Sequence, residues 1–333
     1  MPVFGNEPED PHGSSGHVSS IEPSGEPGMK TMIRTGIYSV SISLLLACTL
    51  WAGPFKASDV SCDAQWVAHL DVQGLVSSQI GHLFVSQLEE EGELQKIEAF
   101  GTIFEFNPLE DLHSVTAYGI SCGKEEGVAI FKGRFDPEKL EALMKTEGKM
   151  KKISFQRHTL FQWSDGDETI YTCFYKPGVI VLSNSQNLTQ KAVDVLDGEQ
   201  ESMQDGRGLK SLHSIPKGVF FAGSAVEFNN LIPEEEAHAE LLKKAERLTI
   251  LVGEVEGVDF VEATLEVSDE KTAEMVYDIA KGLKAIGGLI GSEEPELAEL
   301  IKALKLKADG KKISFRLAKP AEEIVDQLKK HID

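Results

Sequence analysis

Cysteine is scarce in this chain: there are four among 333 residues, and Cys48 lies inside an apolar N-terminal run. The other three, Cys62, Cys122 and Cys173, form no close pair, so at most one disulfide is available within a monomer and a disulfide-framed scaffold is excluded. Cys122 and Cys173 fall in apolar, strand-like stretches, where a small buried hydrophobe is the plainer reading and a bridge the sharper one. Basic residues are also short, with 33 Lys plus Arg against 54 Asp plus Glu and a formal charge of −21. A protein that neutralises phosphates needs a basic face, so a nucleic-acid partner is set aside. What is present in quantity is apolar material, 41% of the chain, enough for a packed core and too much for disorder throughout.

Local catalytic signatures are missing too. There is no phosphate-binding Gly-x-x-x-x-Gly-Lys-Ser/Thr, no Gly-x-Gly-x-x-Gly, no His-Glu-x-x-His, no Cys-x-x-Cys and no Gly-x-Ser-x-Gly. Only a dispersed site remains open. His69, His82, His113 and His158 have no partner ligand at helical spacing, and a lone histidine is most simply a satisfied structural residue. Asp165-Gly166-Asp167-Glu168 has oxygen ligands to offer calcium but lacks the length and later glutamate of a calcium loop, so it reads as a hairpin turn. Trp66, Phe155, Phe161, Trp163, Phe174, Phe220 and Phe221 sit in strand-like segments and are assigned to packing. No residue is assigned a catalytic, cofactor-binding or metal-binding role, and no cofactor is implied.

The N-terminal region reads as an address rather than as fold. Residues 1–28 are rich in Pro and Gly and poor in apolar side chains, so they read as disordered or as a misassigned start ahead of Met29 or Met32; a cytosolic tail is the rival account. Residues 29–53 follow the layout of a secretory signal, with Lys30 and Arg34 preceding an uncharged run from Thr35 to Gly53 that includes Leu44, Leu45 and Leu46. Three fates stay open. Cleavage after Ala52 leaves a bulky Leu50 at the −3 position; Leu45-Leu46-Ala47-Cys48 resembles a lipoprotein box that would lipidate Cys48; and the run over 35–53 is close to the ~20 residues that a membrane-crossing helix needs. All three place the body outside the cytoplasm, in the periplasm or beyond the cell. Glu7, Glu9, Asp10, Glu22 and Glu26 nearly balance Lys30, Arg34 and Lys56, so almost all of the acidity belongs to the exported body.

From Ser58 onward the hydrophobic period switches between two and 3.6. Ala64–Leu70 reads as a strand, and Val72, Leu75, Val76, Ile80, Leu83 and Leu88 as one amphipathic helix ending in Glu89-Glu90-Glu91. Strands over 114–122 and 128–135 follow, then a helix opened by Asp136-Pro137. Four short strands near 152–157, 160–164, 168–175 and 179–183 lead to a helix through Leu188, Ala192 and Val195 that stops at Gly198. The polar stretch 199–214 reads as a linker. A second series then repeats the order: a strand over 218–228, a helix from Pro233 with Glu234-Glu235-Glu236 in its first turn, and strands over 247–255 and 258–267 around Glu256-Gly257. A long helix through Val276, Ile279, Leu283 and Ile286, another capped by Ser292, a hairpin around Asp309-Gly310 and a last helix from Pro320 complete it. Lys-Lys-Ile-Ser-Phe occurs in both series, at 151–155 and 311–315, and Phe135-Asp136-Pro137-Glu138-Lys139 corresponds to Val267-Ser268-Asp269-Glu270-Lys271.

The fold class read from this order is α+β, with two tandem copies of a strand-helix-strand-strand-helix-strand-helix unit. The copies span 58–198 and 215–333, and their mainly antiparallel sheet packs against helices. In its signal segment, repeated helix entry and repeated Lys-Lys-Ile-Ser-Phe strand, the chain resembles uncharacterised exported bacterial proteins with a duplicated α+β body, over roughly residues 60–332. That resemblance implies no site residue. The functional expectation is a non-catalytic binding or cell-envelope-associated protein, with partner and oligomeric state unassigned and membrane attachment through residues 35–53 or lipidated Cys48 left open. The alternative is an envelope hydrolase or other enzyme whose site is assembled from distant residues, for instance around His69, His158 or Asp165.

Overall fold

Twelve strands carry the fold in the computed structural model, which describes residues 53–122, 126–147, 150–165, 168–206, 209–228, 243–289 and 295–324. They are β1 (Trp66–Asp71), β2 (Leu112–Gly119), β3 (Val128–Gly133), β4 (Lys151–Phe155), β5 (His158–Asp165), β6 (Glu168–Lys176), β7 (Val179–Ser183), β8 (Val219–Val226), β9 (Ala245–Val255), β10 (Val258–Val267), β11 (Lys305–Asp309) and β12 (Lys312–Pro320). All join one antiparallel sheet in the order β11-β12-β10-β9-β8-β1-β2-β3-β7-β6-β5-β4. The class is therefore α+β, a large antiparallel sheet with helices packed on it. Both sheet edges carry lysines, Lys151 and Lys152 on β4 and Lys305 and Lys307 on β11, which discourages pairing with another strand.

The helices are α1 (Val72–Val76), α2 (Gln79–Glu90), α3 (Glu93–Phe104), α4 (Pro108–Asp111), α5 (Pro137–Glu147), α6 (Gln186–Asp197), α7 (Glu270–Leu289) and α8 (Pro295–Ala303). Side chains alternate between the two faces of each strand, and the cross-strand register extends that alternation over the whole sheet. One face presents Val67, Tyr118, Ile130, Val181, Cys173 and Leu160, which form the main core with Leu188, Ala192 and Val193 of α6. The other face presents Leu70, Val115 and Phe131, covered by Val72 of α1, Val85 of α2 and Leu109 of α4. Further along that second face, Leu265, Ile313 and Phe315 pack against Ala273 and Val276 of α7.

Beyond β8 the first face changes character. Directly opposed residues there are polar pairs: Arg247 Nη1 donates to Glu266 Oε2 at 2.6 Å, Arg316 Nη1 to Glu262 Oε2 at 2.7 Å, and Thr264 and Ser314 hydroxyls meet at 3.0 Å. Cross-strand pairs of this kind contribute only about 0.2–1 kcal/mol each, but they tolerate solvent. An antiparallel sheet accommodates such a half-solvated face.

The helix expected over Val72 to Leu88 is two helices. Ser78 breaks it: its backbone is extended (φ −83°, ψ 161°), and its hydroxyl accepts from Gly81 N at 3.1 Å while donating to the Leu75 carbonyl. A Cβ on Gly81 would lie 1.9 Å from the Leu75 oxygen, so the corner needs glycine for close approach. The apolar period continues across the break, which is why the sequence reads as one helix. α3 and α4 were not anticipated. The β9–β10 turn agrees with the sequence reading, Glu256 and Gly257 both taking positive φ (54° and 78°) between Val255 and Val258.

The stretch 199–214, expected as a linker, is packed in its described part. Met203, Leu209 and Leu212 are buried in the main core, and Met203 N donates to Val60 O at 2.7 Å. Both series of strands share a single sheet through the β1–β8 pairing. The two copies of Lys-Lys-Ile-Ser-Phe take different places, the first forming edge strand β4 and the second opening β12, one strand in from the other edge. The expected leader (residues 1–28 and most of 29–53, with Cys48), the helix from Pro233, the Ser292 cap and the end of the last helix, with Val325, Leu328 and Ile332, lie outside the described residues. Among the described residues Cys62, Cys122 and Cys173 are free thiols, the last two buried, and no helix is long and apolar enough to cross a membrane.

Candidate functional site

β1 places His69 on the face covered by α6, opposite Thr116 of β2 and Ala222 of β8. The ring is 3% exposed. Its Nδ1 lies 2.9 Å from Thr116 Oγ1, and its Nε2 has no hydrogen-bond partner among the described residues. Phe55 stands edge-on to it, with centroids 5.3 Å apart. Beside the ring opens a cleft of 310 Å³, walled by Phe55, Leu212, Ile215, Phe220 and Ala222. That volume lies at the lower end of the range of about 300–1,000 Å³ for small-molecule sites.

Burial pushes the His69 pKa down to about 4, and the Lys132 ammonium adds to the effect, while the Gly53 backbone and Asp59 act in the opposite sense. The imidazole is therefore neutral at physiological pH. Lys132 is itself ion-paired with Asp59. Tyr118, on the next inward position of β2, is buried, and its hydroxyl has no partner among the described residues; burial, then the Asp59 charge, raises its pKa. Asp71, His213 and Lys217 add charge and polarity to the cleft lining. Two of them have structural work: Asp71 Oδ1 accepts from Gly74 N at 2.6 Å at the start of α1, and His213 Nε2 lies 3.1 Å from Met203 O.

His158 is placed elsewhere. β2, β3, β7 and β6 separate its strand from that of His69, so the two strands are about 24 Å apart at the usual strand spacing. His158 Nε2 is 2.9 Å from Asp197 Oδ2, Arg157 Nη2 donates to Asp197 Oδ1 at 2.5 Å, and the imidazole stacks on Tyr175 at 5.2 Å. Burial opposes ionisation of Asp197, yet hydrogen bonds from His158, Tyr175 and Arg157 hold its carboxyl below the usual range. Asp197 ends α6. The cluster thus fastens that helix to the β4–β5 hairpin, a structural role that needs no ligand.

The other candidates do not converge on the cleft. His82 is exposed on α2, His113 is half-buried on β2, and Asp165 pairs with Glu168 across the β5–β6 turn, whose Gly166 and Asp167 lie outside the described residues. Phe161 and Phe220 are buried, Phe161 meets Phe174 edge-on at 5.4 Å, and Phe155 packs on the main core, in keeping with the packing assignment. Among the described residues no group of three or more His, Cys, Asp or Glu could hold a metal ion.

One unusual residue escaped the sequence reading. Asp259 of β10 is 3% exposed, and neither carboxylate oxygen has a hydrogen-bond partner among the described residues. It lies on the sheet face opposite His69, flanked in register by Glu254 of β9 and Lys319 of β12. Burial, reinforced by Glu254, raises its pKa to about 6. Glu254 is turned toward the helix layer, its Oε2 accepting from Gln79 N at 2.6 Å at the start of α2. A lone acid in the apolar run Val258-Asp259-Phe260-Val261 was the available signal.

No family model matches the chain, and no curated protein does. Among solved structures, crystal form III of TP0453 aligns with 82% of this chain and 97% of its own, at 8% identity and a TM-score of 0.45. Crystal form IV of the same protein aligns with 83% and 97%, at 10% identity and a TM-score of 0.46. At these scores the likeness is descriptive only.

Proposed function

We propose that the chain is an exported, cell-envelope-associated binding protein that acts without catalysis and takes a small ligand in the cleft beside His69. The observation that carries this reading is the make-up of the cleft: apolar side chains of Phe55, Leu212, Ile215 and Phe220 alternate in its lining with a few polar ones, Asp71, His213, Lys217 and the neutral His69. A base with a pKa near 4 is poorly matched to proton transfer at neutral pH, which weighs against the rival reading of a dispersed hydrolytic site. Export rests on Lys30 and Arg34 followed by the uncharged run from Thr35 to Gly53, attached through that run or through a lipidated Cys48 in two of its three fates. The acidic body makes nucleic acid an unsuitable partner.

The body is further read as a duplication, with copies over 58–198 and 215–333. The sheet order is symmetric about the β1–β8 pair: β1-β2-β3-β7-β6 runs outward on one side and β8-β9-β10-β12-β11 on the other. By this correspondence β12 answers to β7, so the strand order supports duplication while the literal Lys-Lys-Ile-Ser-Phe match does not.

The binding reading is tested by thermal unfolding of the full-length chain against a panel of small apolar molecules, including cyclohexanol, indole, toluene and p-cresol, alongside Ile215→Trp, which fills the cleft. The expected result is a concentration-dependent rise in Tm with at least one compound, lost in the variant. A panel that leaves Tm unchanged at millimolar concentration rejects the reading.

A further inference from the structure

On the sheet face opposite the cleft, the start of α2 is held by groups that lie far along the chain. Glu254 of β9 accepts from Gln79 N at 2.6 Å and from Ile80 N at 3.4 Å, the first two amides of the helix. Ser78 takes the third, that of Gly81, at 3.1 Å. The Gln79 side chain adds a second tie, its Nε2 donating to Glu322 Oε1 at 2.9 Å just past β12. Directly across from Glu254 in register stands Asp259 of β10, 3% exposed and with neither carboxylate oxygen partnered among the described residues. We propose that Glu254 and Asp259 form a pH-operated latch: while Asp259 is neutral, Glu254 clamps the first turn of α2 onto β9, and when Asp259 ionises, Glu254 is driven off and that turn is released.

The two carboxyl groups conflict when both are charged. Residues directly opposed in an antiparallel pair have Cβ atoms about 4.5–5.5 Å apart, and like charges so placed repel. Asp259 adds a desolvation cost, being out of water with no donor to offset it. Burial first and Glu254 second raise its pKa to about 6, so the closed form holds at acid pH and gives way as the pH rises through that value. Glu254 is the group that yields, because it is only half-buried and exchanges two amides for water, whereas the strand of Asp259 is fixed by β9 and β12 on both sides. The other charged groups around the pair do not cancel the effect. Lys319, opposite Asp259 on β12, is drawn to Glu323, its Nζ lying 3.5 Å from that carboxylate, and Glu322 and Glu323 themselves add negative charge. β8 and α1 carry no charged side chain, Glu256 sits in the exposed β9–β10 turn, and α2 contributes only the exposed His82 near this end.

The test is an NMR titration of the full-length chain from acid to mildly basic pH, following the amides of Gln79, Ile80 and Gly81 and the carboxyl carbon of Asp259. The Gln79 and Ile80 amide protons are expected to move upfield with the same midpoint as the Asp259 carboxyl, near pH 6. Their hydrogen exchange, corrected for its intrinsic pH dependence, should quicken about tenfold, while Gly81, held by Ser78, stays unchanged. Asp259→Asn should keep both amides in the closed position at every pH. Glu254→Gln, which retains an acceptor without the like charge, should do the same, and His82→Gln should leave the midpoint where it is. An Asp259 carboxyl that titrates while the two amides stay still overturns the latch. So does an amide midpoint that survives Asp259→Asn or vanishes with His82→Gln, or a Gly81 amide that moves in step with the other two. Should Asp259→Asn fail to fold, the shared midpoint in wild type and in His82→Gln decides.

Discussion

The two sides of the sheet are built to different rules. Over β1, β2 and β3 both faces are covered, one by α6 and the chain around residues 53–64, 203–206 and 209–212, the other by Val72 of α1, Val85 of α2 and Leu109 of α4. From β8 to β12 one face carries Arg–Glu and Thr–Ser pairs, and the large exposed apolar residues of the described chain, Val255, Val258, Val261, Met275, Leu283 and Ile286, all belong to this side. Each side also buries a titratable group without a full set of partners, His69 with Tyr118 beside it on the first and Asp259 on the second. They are of opposite kind: His69 on the first side favours the neutral base, and Asp259 on the second favours the neutral acid. Burial acts on both through the same physics, by disfavouring charge, but the consequences for pH are reversed.

The largest expected effect separates the two sides by packing. Leu160 is fully buried in the main core, so Leu160→Ala should cost about 3 kcal/mol in urea unfolding, whereas Leu283, 64% exposed on α7, should change stability by less than about 0.5 kcal/mol when truncated to alanine. Equal costs would erase the distinction between a sandwiched and a half-covered side.

Acid should then pull the two sides in opposite directions. The folded pKa of His69 lies below that of the unfolded chain, so its stability contribution is complete above pH 6.5 and is lost as pH falls toward 4, by about 3 kcal/mol. His69→Phe should flatten that part of the stability–pH curve. Asp259 has a folded pKa above its unfolded value, so its ionisation penalises the folded state at neutral pH and the penalty fades as pH falls from about 6 to 4. Asp259→Asn should therefore stabilise the protein at pH 7 by up to about 3 kcal/mol and make almost no difference at pH 4. A destabilised Asp259→Asn at pH 7 would show that the carboxylate has a favourable partner.

The smallest effect concerns α7. Asp269 accepts from Thr272 N at 2.9 Å and from Thr272 Oγ1 at 2.8 Å, and these bonds, joined by one from Ser268, lower its pKa to about 2. Its contribution is present above the unfolded value near 4 and is lost as pH falls through about 2. Asp269→Ala should lower the unfolding midpoint slightly at pH 7 and leave it unchanged near pH 2. A shift that persists at the acid end would mean that something other than the carboxylate cap holds the helix start.

Much of the secondary structure was legible in the sequence because turn chemistry is local. Glu256-Gly257 supplied two positive-φ residues, and Gly198 closed α6 in the left-handed conformation (φ 78°). Where a local signal competed with a tertiary one, reading by period failed. Ser78 divides a continuous apolar pattern because Gly81 lets α2 pack onto the Leu75 carbonyl, a contact that periodicity does not record. The candidate site was legible only as one histidine among several: nothing in the residues around His69 distinguishes it from His158, which lies in a stretch of similar pattern.

By itself, then, the sequence determined most strand positions, the hairpin turns and the acidity of the body, since each depends on neighbours within a few residues or on simple counting. Tertiary structure decided the rest. It merged two series of strands into one sheet through β1 and β8, and it drew Met203, Leu209 and Leu212 of a polar stretch into the core. It also left His69 and Asp259 buried without complete partners on opposite faces. The physical reason is that burial and partnership depend on residues far apart in the chain, and a side chain's charge state follows from what surrounds it rather than from what precedes it.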